Sequence, residues 1–457
     1  AVVSSPLVLL AALLAAALWA ARPLLPSQGA AAAPLLMVCL PTILEFTPGS
    51  LDHHTWMMLA ATLGIGTVVR LARDTGDRRP PVVGGIALGL GVAVTGETLI
   101  ALAAVCAATG VIWLWRGRAV VTPLRRFGTA LALTGAVMLP IDRPPGALLA
   151  APCDRYGLTY AAILVGVAAL WWLAPMLVPA ARDRWPRRLA AGGAMAAAVA
   201  VTLIVLFPHC RGGPMSGVPA DQWRTWLGHA AGMAPLWTKS PSTMVLLAVA
   251  PAAALTVAAR NAWREPGDRA LWLALLAMTA LGALAMLTSA RSANLANVVA
   301  ALPVAWLLTA VLAACERRLR GLRRAGAAVA VTLAVAAGPA LLSAGLARTL
   351  GGTEPDGPGC ESRRIRGALA SLPDGHGSGV MAAPIFTGPY ILTASEHAVL
   401  GAQYHRNVAG NRAAHAIVGA DDATSAHQAV RRHGVTHIAV CTNGDPLAGP
   451  FARALGR

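Results

Sequence analysis

Residues 48–58 read Pro48-Gly49-Ser50-Leu51-Asp52-His53-His54-Thr55-Trp56-Met57-Met58, a short polar stretch in an otherwise apolar N-terminal half. Apolar runs at 30–46 and 55–69 flank it on both sides. Such runs are typical of helices that cross a bilayer, whose core requires roughly 20 apolar residues per helix, with shorter runs tolerated. The pattern therefore predicts that this stretch lies at a membrane surface and not in a soluble core.

The composition indicates a polytopic α-helical membrane protein with a modest soluble part. Of its 457 residues, 56% are hydrophobic and only 12% are charged, and the mean hydropathy is +0.61. The formal net charge is +17. Almost all of the cations are arginine, with Lys239 as the single lysine. We interpret this preference as the bias of a GC-rich bacterial genome.

The apolar runs predict about 12 membrane spans. They fall at 6–21, 30–46, 55–69, 82–96, 98–115, 127–141, 157–180, 189–207, 242–259, 270–289, 294–314 and 326–347.

The loops between these spans alternate in charge, and the alternation predicts the orientation of the chain. Five arginine-rich loops lie two spans apart from one another, so all fall on one face; they contain Arg70, Arg73, Arg78, Arg79, Arg116, Arg118, Arg125, Arg126, Arg182, Arg184, Arg187, Arg188, Arg260, Arg264, Arg269, Arg317, Arg318, Arg320, Arg323 and Arg324. The positive-inside rule makes this face cytoplasmic. The net charge is then mainly an orientation signal, which argues against a nucleic-acid partner.

The opposite face is predicted to be the periplasmic side of a bacterial inner (plasma) membrane. It receives the loop of Asp52, the turn of Glu97, Arg291 and everything after about residue 348. Twelve spans and an external C-terminus place the N-terminus outside as well. We therefore expect one more helix and its external loop before residue 1.

The chain divides by composition into a transmembrane domain, 1–348, and a small periplasmic α/β domain, 349–457. A Gly- and Pro-rich linker at 351–359 joins them. Short helices are predicted at 363–372 and 423–433, and strands at 380–384, 390–393, 397–400 and 436–441. Helices that alternate with short apolar strands are typical of an α/β domain.

Four of the seven cysteines are predicted to lie outside: Cys153, Cys210, Cys360 and Cys441. A periplasmic environment permits disulfides, and four cysteines allow three pairings. We favour Cys153–Cys210 and Cys360–Cys441, with four free thiols as the alternative.

Asp52, His53 and His54 form a candidate metal site. Carboxylate oxygens suit Mg²⁺ or Mn²⁺, whereas paired imidazoles suit zinc. A capping aspartate with two interfacial histidines explains the triplet equally well. Glu97 lies among apolar residues near a predicted external helix end, where an ionisable group indicates a functional role or a simple interfacial, solvated carboxylate.

Arg291 stands alone in the sequence on the predicted external face, where the positive-inside bias disfavours it. A guanidinium suits bidentate binding of a lipid phosphate or pyrophosphate, and contact with lipid headgroups is the alternative. Tyr404, His405 and Arg406 form a dense polar group in the C-terminal domain, which we predict to be cofactor-binding; His405 can equally be structural.

Four stretches carry a resemblance to a known family. They are Phe46-Thr47-Pro48-Gly49-Ser50-Leu51-Asp52-His53-His54, Cys153-Asp154-Arg155, Phe207-Pro208-His209-Cys210-Arg211-Gly212-Gly213-Pro214 with Asp221 and Trp226-Leu227 downstream, and Ala402-Gln403-Tyr404-His405-Arg406-Asn407 with the terminal strand ending at Cys441. With them the chain resembles bacterial membrane proteins related to the catalytic subunit of oligosaccharyltransferases, which have a GT-C glycosyltransferase architecture.

The resemblance implies transfer of a sugar or oligosaccharide from a polyprenyl-phosphate or polyprenyl-pyrophosphate donor to an acceptor on the periplasmic face. It implies a divalent metal, Mg²⁺ or Mn²⁺, held by external acidic residues near the donor phosphate. Asp52 would then be a metal or acceptor carboxylate with His53 or His54 beside it, and Arg291 the arginine near the lipid phosphate. We predict Glu97 as a second catalytic residue from its position alone.

The sequence departs from the family at two positions. The family has an acidic residue in its first external loop, but no Asp or Glu precedes Glu45 here, and Gly232 aligns where the family has a glutamate. A non-catalytic lipid-carrier-binding protein or transporter on the same scaffold is therefore the rival hypothesis. A metal-dependent activity that Asp52→Ala abolishes would favour the enzyme.

Overall fold

The computed structural model describes residues 4–47, 52–74, 76–230, 232–350, 362–371, 378–440 and 449–455. The chain forms two compact units, the first made of Ala1–Ser216 and Pro235–Gly352, the second of Gly217–Ala234 and Thr353–Arg457. The division of the sequence into domains at 348/349 stays a prediction. The segment 217–234, which that prediction leaves in the transmembrane domain, groups with the C-terminal unit.

The first unit is helical. Its helices are α1 Ser5–Ala21, α2 Ser27–Ala30, α3 Ala32–Cys39, α4 His53–Arg73, α5 Arg79–Val94, α6 Thr98–Arg116, α7 Val121–Asp142, α8 Leu158–Leu173, α9 Trp185–Leu206, α11 Pro241–Arg264, α12 Arg269–Thr288, α13 Ala293–Arg318, α14 Gly321–Ala336 and α15 Gly338–Leu350; α10 Ala220–Thr225 belongs to the second unit.

Every predicted span falls on helical structure, but the structure does not confirm the number twelve. Among the described residues, seven helices are long and apolar enough to cross a membrane, with 98–142 counted as one, and the pair α14–α15, bent by 62°, makes an eighth. The second predicted span is broken into α2, α3 and a 3₁₀ turn at Pro41–Phe46. The chain is a multi-pass membrane protein by these helices.

Helix α4 lies at the centre of the first unit and packs against α1, α5 and α6. Small residues allow such helices to approach closely in a membrane, where packing and not the hydrophobic effect holds them together. Gly85 shows this at the crossing of α5 and α7, because a Cβ there would lie 2.5 Å from the carbonyl oxygen of Phe127.

The disulfide predicted between Cys153 and Cys210 is present, with the two Cα atoms 5.3 Å apart. It joins the loop before α8 to the loop after α9. Cys360 and Cys441 lie outside the described residues, so their pairing stays a prediction.

The second unit contains a three-stranded parallel sheet in the order β2-β1-β3. Its strands are β1 Val380–Ala382, β2 Ala398–Val399 and β3 His437–Ile438, and its helices, besides α10, are α16 Ser362–Ala370, α17 Gly388–Ala394, α18 Val408–Val418, α19 Ala423–Arg432 and α20 Pro450–Leu455. In the register of the sheet, Met381 pairs with Val399 on one side and with His437 on the other.

One predicted strand of this unit is wrong. Residues 390–393 lie within helix α17, where Pro389 occupies the first turn. Proline is favoured there because its fixed φ suits a helix. It also loses no hydrogen bond, since an N–H group in the first turn has no partner within the helix. The other three predicted strands and both predicted helices are present, whereas α18 and α20 were not predicted.

Helix α10 is fixed to the rest of the second unit by apolar and charged contacts. Trp226 and Leu227 pack against Ile385 and Phe386. The guanidinium of Arg412 donates two hydrogen bonds to the carboxylate of Asp221, at 2.7 and 2.9 Å, and this ion pair holds the pKa of Asp221 below its usual range. These contacts explain why 217–234 belongs to this unit.

Candidate functional site

Asp52 caps the N-terminus of α4, the helix that carries both histidines. Its side chain accepts a hydrogen bond from the backbone N–H of His54 at 2.8 Å, and the hydroxyl of Thr55 donates to its carbonyl oxygen at 2.7 Å. Aspartate is favoured at this position because it satisfies one of the free N–H groups of the first turn. The cap also fixes His53 and His54 in that turn. The capping interpretation is therefore correct, and the metal-binding role of Asp52 stays a prediction.

The imidazole of His54 lies between two carboxylates. Its Nδ1 is 2.7 Å from Oδ1 of Asp52, and its Nε2 is 2.8 Å from Oε2 of Glu97. His54 is only 5% exposed, so the ring is held between these carboxylates with little contact with solvent.

Arg291, isolated in the sequence, is paired with Glu97 in space. It lies in a 3₁₀ turn at Ala290–Ser292, between α12 and α13. Its Nη1 donates to Oε1 of Glu97 at 3.1 Å. One side chain predicted to bind phosphate thus contacts one predicted to be catalytic.

Glu45 and Asn294 also belong to the cluster, and we did not predict either from the sequence. Oε2 of Glu45 lies 3.8 Å from Nδ1 of His54, and Oε1 accepts a hydrogen bond from the Asn294 amide at 2.9 Å. A signal was present, because an ionisable residue at the end of an apolar run, here in the 3₁₀ turn Pro41–Phe46, is costly without a function.

His53 lies on the more exposed side of the cluster. Its Nδ1 is 3.5 Å from Oδ1 of Asp52 and its Nε2 is 3.9 Å from Oε1 of Glu97. The ring centroids of His53 and His54 are 4.3 Å apart. Adjacent histidines diverge on a regular element, but here both face the same carboxylates.

The pKa values of Asp52 and Glu97 lie below the usual carboxyl range. Burial raises the pKa of each, but other contacts outweigh it. For Asp52 these are hydrogen bonding and charge from His54, with the charge of His53. For Glu97 they are the contacts with both histidines and the charge of Arg291. Both groups are therefore carboxylates at neutral pH.

The donor set fits a divalent cation. Ligand atoms of Asp52, His53 and His54 lie within 4.8 Å of one another, and Glu45 approaches Nδ1 of His54 from the same cluster. Carboxylate oxygens are the ligands that Mg²⁺ and Mn²⁺ prefer, and the imidazoles admit zinc as well.

The remaining predicted site residues belong to the second unit. Tyr404, His405 and Arg406 lie in the turn before α18, and the rings of Tyr404 and His405 are 5.7 Å apart. Gly232 is in the same unit. Their predicted roles stay predictions, whereas Asp52, His53, His54, Glu97 and Arg291 come together within the first unit.

No family model and no curated protein matches the chain. Solved structures of the oligosaccharyltransferase of the archaeon Archaeoglobus fulgidus do. The protein AglB in complex with an inhibitory peptide and a dolichol-phosphate has a TM-score of 0.68 at 16% identity, over 96% of this chain and 58% of that one. The Archaeoglobus fulgidus oligosaccharyltransferase in its apo form has a TM-score of 0.64 at 14% identity, over 96% of this chain and 58% of that one. The complex of the Archaeoglobus fulgidus oligosaccharyltransferase with Zn and sulfate has a TM-score of 0.64 at 15% identity, over 96% of this chain and 55% of that one.

These matches confirm the predicted resemblance in architecture. The fold is that of the oligosaccharyltransferases, a GT-C fold, with a multi-pass helical domain and a small α/β unit. The chain spans little more than half the length of the archaeal proteins it matches.

Proposed function

We propose that this protein is a membrane glycosyltransferase that transfers a sugar or oligosaccharide from a polyprenyl-phosphate or polyprenyl-pyrophosphate donor to an acceptor on the periplasmic face. The observation that carries the proposal is the cluster of three carboxylates, two histidines and Arg291 at one end of the helices of an oligosaccharyltransferase fold. The archaeal relative was solved with a dolichol-phosphate and a peptide, which supports a lipid-linked donor here.

Three helix N-termini meet at the cluster, and they favour a phosphate there. Helix α4 begins beside Asp52, α6 beside Glu97, and α13 one residue before Asn294. Each N-terminus carries a partial positive charge of roughly half an elementary charge and free N–H groups, which together bind anions. Arg291 adds a full positive charge with a planar set of donors, which suits phosphate oxygens.

The carboxylates supply the opposite charge, which a metal ion requires. We place the cation beside Asp52, Glu45 and Nδ1 of His54, with His53 as an additional donor. When bound, a divalent ion would offset the charge that develops on the donor phosphate as the sugar–oxygen bond breaks. Arg291 would hold the same phosphate from the other side.

Glu97 then has a positioning role, which refines its predicted role in catalysis. A histidine that binds a metal through one ring nitrogen commonly donates the other N–H to a carboxylate, which fixes its orientation. Glu97 lies 2.8 Å from Nε2 of His54 and is itself bound by Arg291. It thus links the histidine of the metal side to the arginine of the phosphate side.

The site lies at the helix ends opposite the arginine-rich loops, which supports a periplasmic site in a bacterial inner membrane. Asp52 and Arg291 border loops that alternate with the loops of Arg73 and Arg318. Reporter fusions after residues 75 and 400 test this topology, and we expect opposite signals from them. Matching signals would overturn the orientation.

Release of the lipid phosphate tests the activity without knowledge of the acceptor. The purified protein in nanodiscs is incubated with lipid-linked sugars extracted from its source membranes and with the soluble periplasmic fraction of the same cells, which supplies the acceptor of the sugar. Polyprenyl phosphate or pyrophosphate is then quantified by mass spectrometry. We expect release that requires Mg²⁺ or Mn²⁺ and that Asp52→Asn abolishes. The control is Asp268→Asn, because Asp268 pairs with Arg73 at the other end of the helices.

Two outcomes separate the hypotheses. Release by Asp52→Asn at the rate of the unaltered protein would remove Asp52 from the chemistry. Donor binding without release, unaffected by Asp52→Asn, would instead support a non-catalytic lipid-carrier-binding protein or transporter.

A further inference from the structure

A groove between α11 and α13 lies at the arginine-rich end of the first unit, away from the candidate site. Its volume is about 710 Å³. Its walls are almost entirely apolar, with Trp306 and Leu307 at one end. The groove is open along Ala253, Ala310 and Ala314, because their short side chains leave space that larger residues would fill.

The two arginines of the groove lie at its other end. Arg260 is in the last two turns of α11 and Arg318 is the last residue of α13. From Trp306 to Arg318 the groove follows α13 for roughly 18 Å at the rise of an α-helix. That length is close to one leaflet, since the hydrocarbon core of a bilayer is roughly 30 Å thick.

Several arginines at the arginine-rich helix ends are neutralised by carboxylates, but within the described ranges the two that line the groove are not. Arg73 pairs with Asp268 at 2.8 Å, Arg188 with Asp183 at 2.6 Å, and Arg324 with Glu316. Among the described residues, neither Arg260 nor Arg318 has a carboxylate within ion-pair distance, and Arg260 donates only to the side chain of Asn261 at 3.3 Å. The groove thus ends in two positive charges that the described part of the chain does not neutralise.

We propose that this groove binds an anionic phospholipid, with one acyl chain between α11 and α13 and the headgroup phosphate held by Arg260 and Arg318. A phosphate suits the planar donors of arginine, and the apolar walls suit the chain. A zwitterionic lipid fits less well, because its cationic headgroup would lie beside two arginines.

Native mass spectrometry of the protein released from mixed phosphatidylglycerol and phosphatidylcholine vesicles tests the site. We expect the unaltered protein to retain phosphatidylglycerol selectively. Arg260→Gln with Arg318→Gln should weaken its retention at least about tenfold, because charge-assisted hydrogen bonds each contribute more than about 1.4 kcal/mol. The matched control is Arg264→Gln with Arg317→Gln, two exposed arginines on the same helices that do not line the groove.

A third variant tests the apolar part of the site with both arginines intact. Ala310→Trp fills the groove, and we expect it to release phosphatidylglycerol as well. Equal loss from both double variants would show a general charge effect and overturn the proposal. Retention of phosphatidylglycerol after Ala310→Trp, equal retention of phosphatidylcholine, or displacement of phosphatidylglycerol by polyprenyl phosphate at equimolar concentration would also overturn it.

Discussion

The variant Glu97→Gln tests whether Glu97 positions His54 for metal binding or only forms a structural ion pair with Arg291. The substitution keeps the shape of the side chain but removes the charge that lies 2.8 Å from Nε2 of His54 and 3.1 Å from Nη1 of Arg291. The His54 ring then loses the group that orients it, and the guanidinium faces an amide. Carboxylates that orient a metal-binding histidine contribute about 10–100-fold to metal affinity. We therefore expect Mn²⁺ to bind about 10–100-fold more weakly, or roughly 1.4–2.7 kcal/mol.

The assay is Mn²⁺ titration followed by electron paramagnetic resonance, without any donor lipid. The control is Asp268→Asn, since the Arg73–Asp268 pair matches the Arg291–Glu97 pair in geometry. The N–O distances are 2.8 and 3.1 Å, and the side chains of the arginine and the acid are 36% and 28% exposed in one pair and 34% and 29% in the other. An unchanged Mn²⁺ affinity in Glu97→Gln, or an equal loss in Asp268→Asn, would refute the positioning role.

Four further predictions concern Asp52, Glu45, the disulfide and the response to acid. Asp52→Asn should keep the cap of α4 but lose Mn²⁺ binding, whereas Asp52→Ala should also lose about 1 kcal/mol of stability, measured by thermal unfolding, because alanine cannot cap. Glu45→Gln should weaken Mn²⁺ binding at least about tenfold, and Asp268→Asn again serves as the control. Replacing Cys153 and Cys210 by serine should lower the free energy of unfolding, measured by thermal unfolding, but by less than the roughly 4 kcal/mol expected for a flexible loop of 57 residues, since α8 and α9 lie within that loop. The pKa values of Asp52 and Glu97 in the folded protein lie below their ordinary values of 3.8 and 4.5. The stability that these carboxylates contribute should therefore be complete above about pH 5 and be lost as the pH falls through the folded pKa values. An acid unfolding curve that Glu97→Gln leaves unshifted would contradict this.

The convergence of Asp52, Glu97 and Arg291 was predictable because each borders an end of a predicted span on the same face. Counting arginine-rich loops assigns that face without any contact information. Glu45 and Asn294 were not predictable in this way. Glu45 ends a run that hydropathy marks as a single span, but proline and the 3₁₀ turn Pro41–Phe46 break that run and turn the carboxylate towards His54.

The second unit also contains features that the local sequence pattern does not predict. Residues 390–393 have the composition of a strand, yet Pro389 in the first turn of helix α17 favours the helix. The segment around Trp226 reads as a loop between spans, because its partners Ile385 and Phe386 are more than 150 residues away in the sequence. Local pattern cannot reveal a contact of that range, whereas it does reveal β1 at Val380–Ala382.

The charge balance of the site explains why three carboxylates are needed around one buried histidine. The N-termini of α4, α6 and α13 and the guanidinium of Arg291 would by themselves make this end of the helix bundle an anion site that repels a metal. Asp52 and Glu97 reverse that sign locally, and Glu45 adds a third negative charge, held in place by Asn294. A site with positive groups on one side and carboxylates on the other favours a phosphate and a divalent cation bound together. Removing one carboxylate should therefore weaken the cation more than the phosphate, and removing Arg291 should do the reverse.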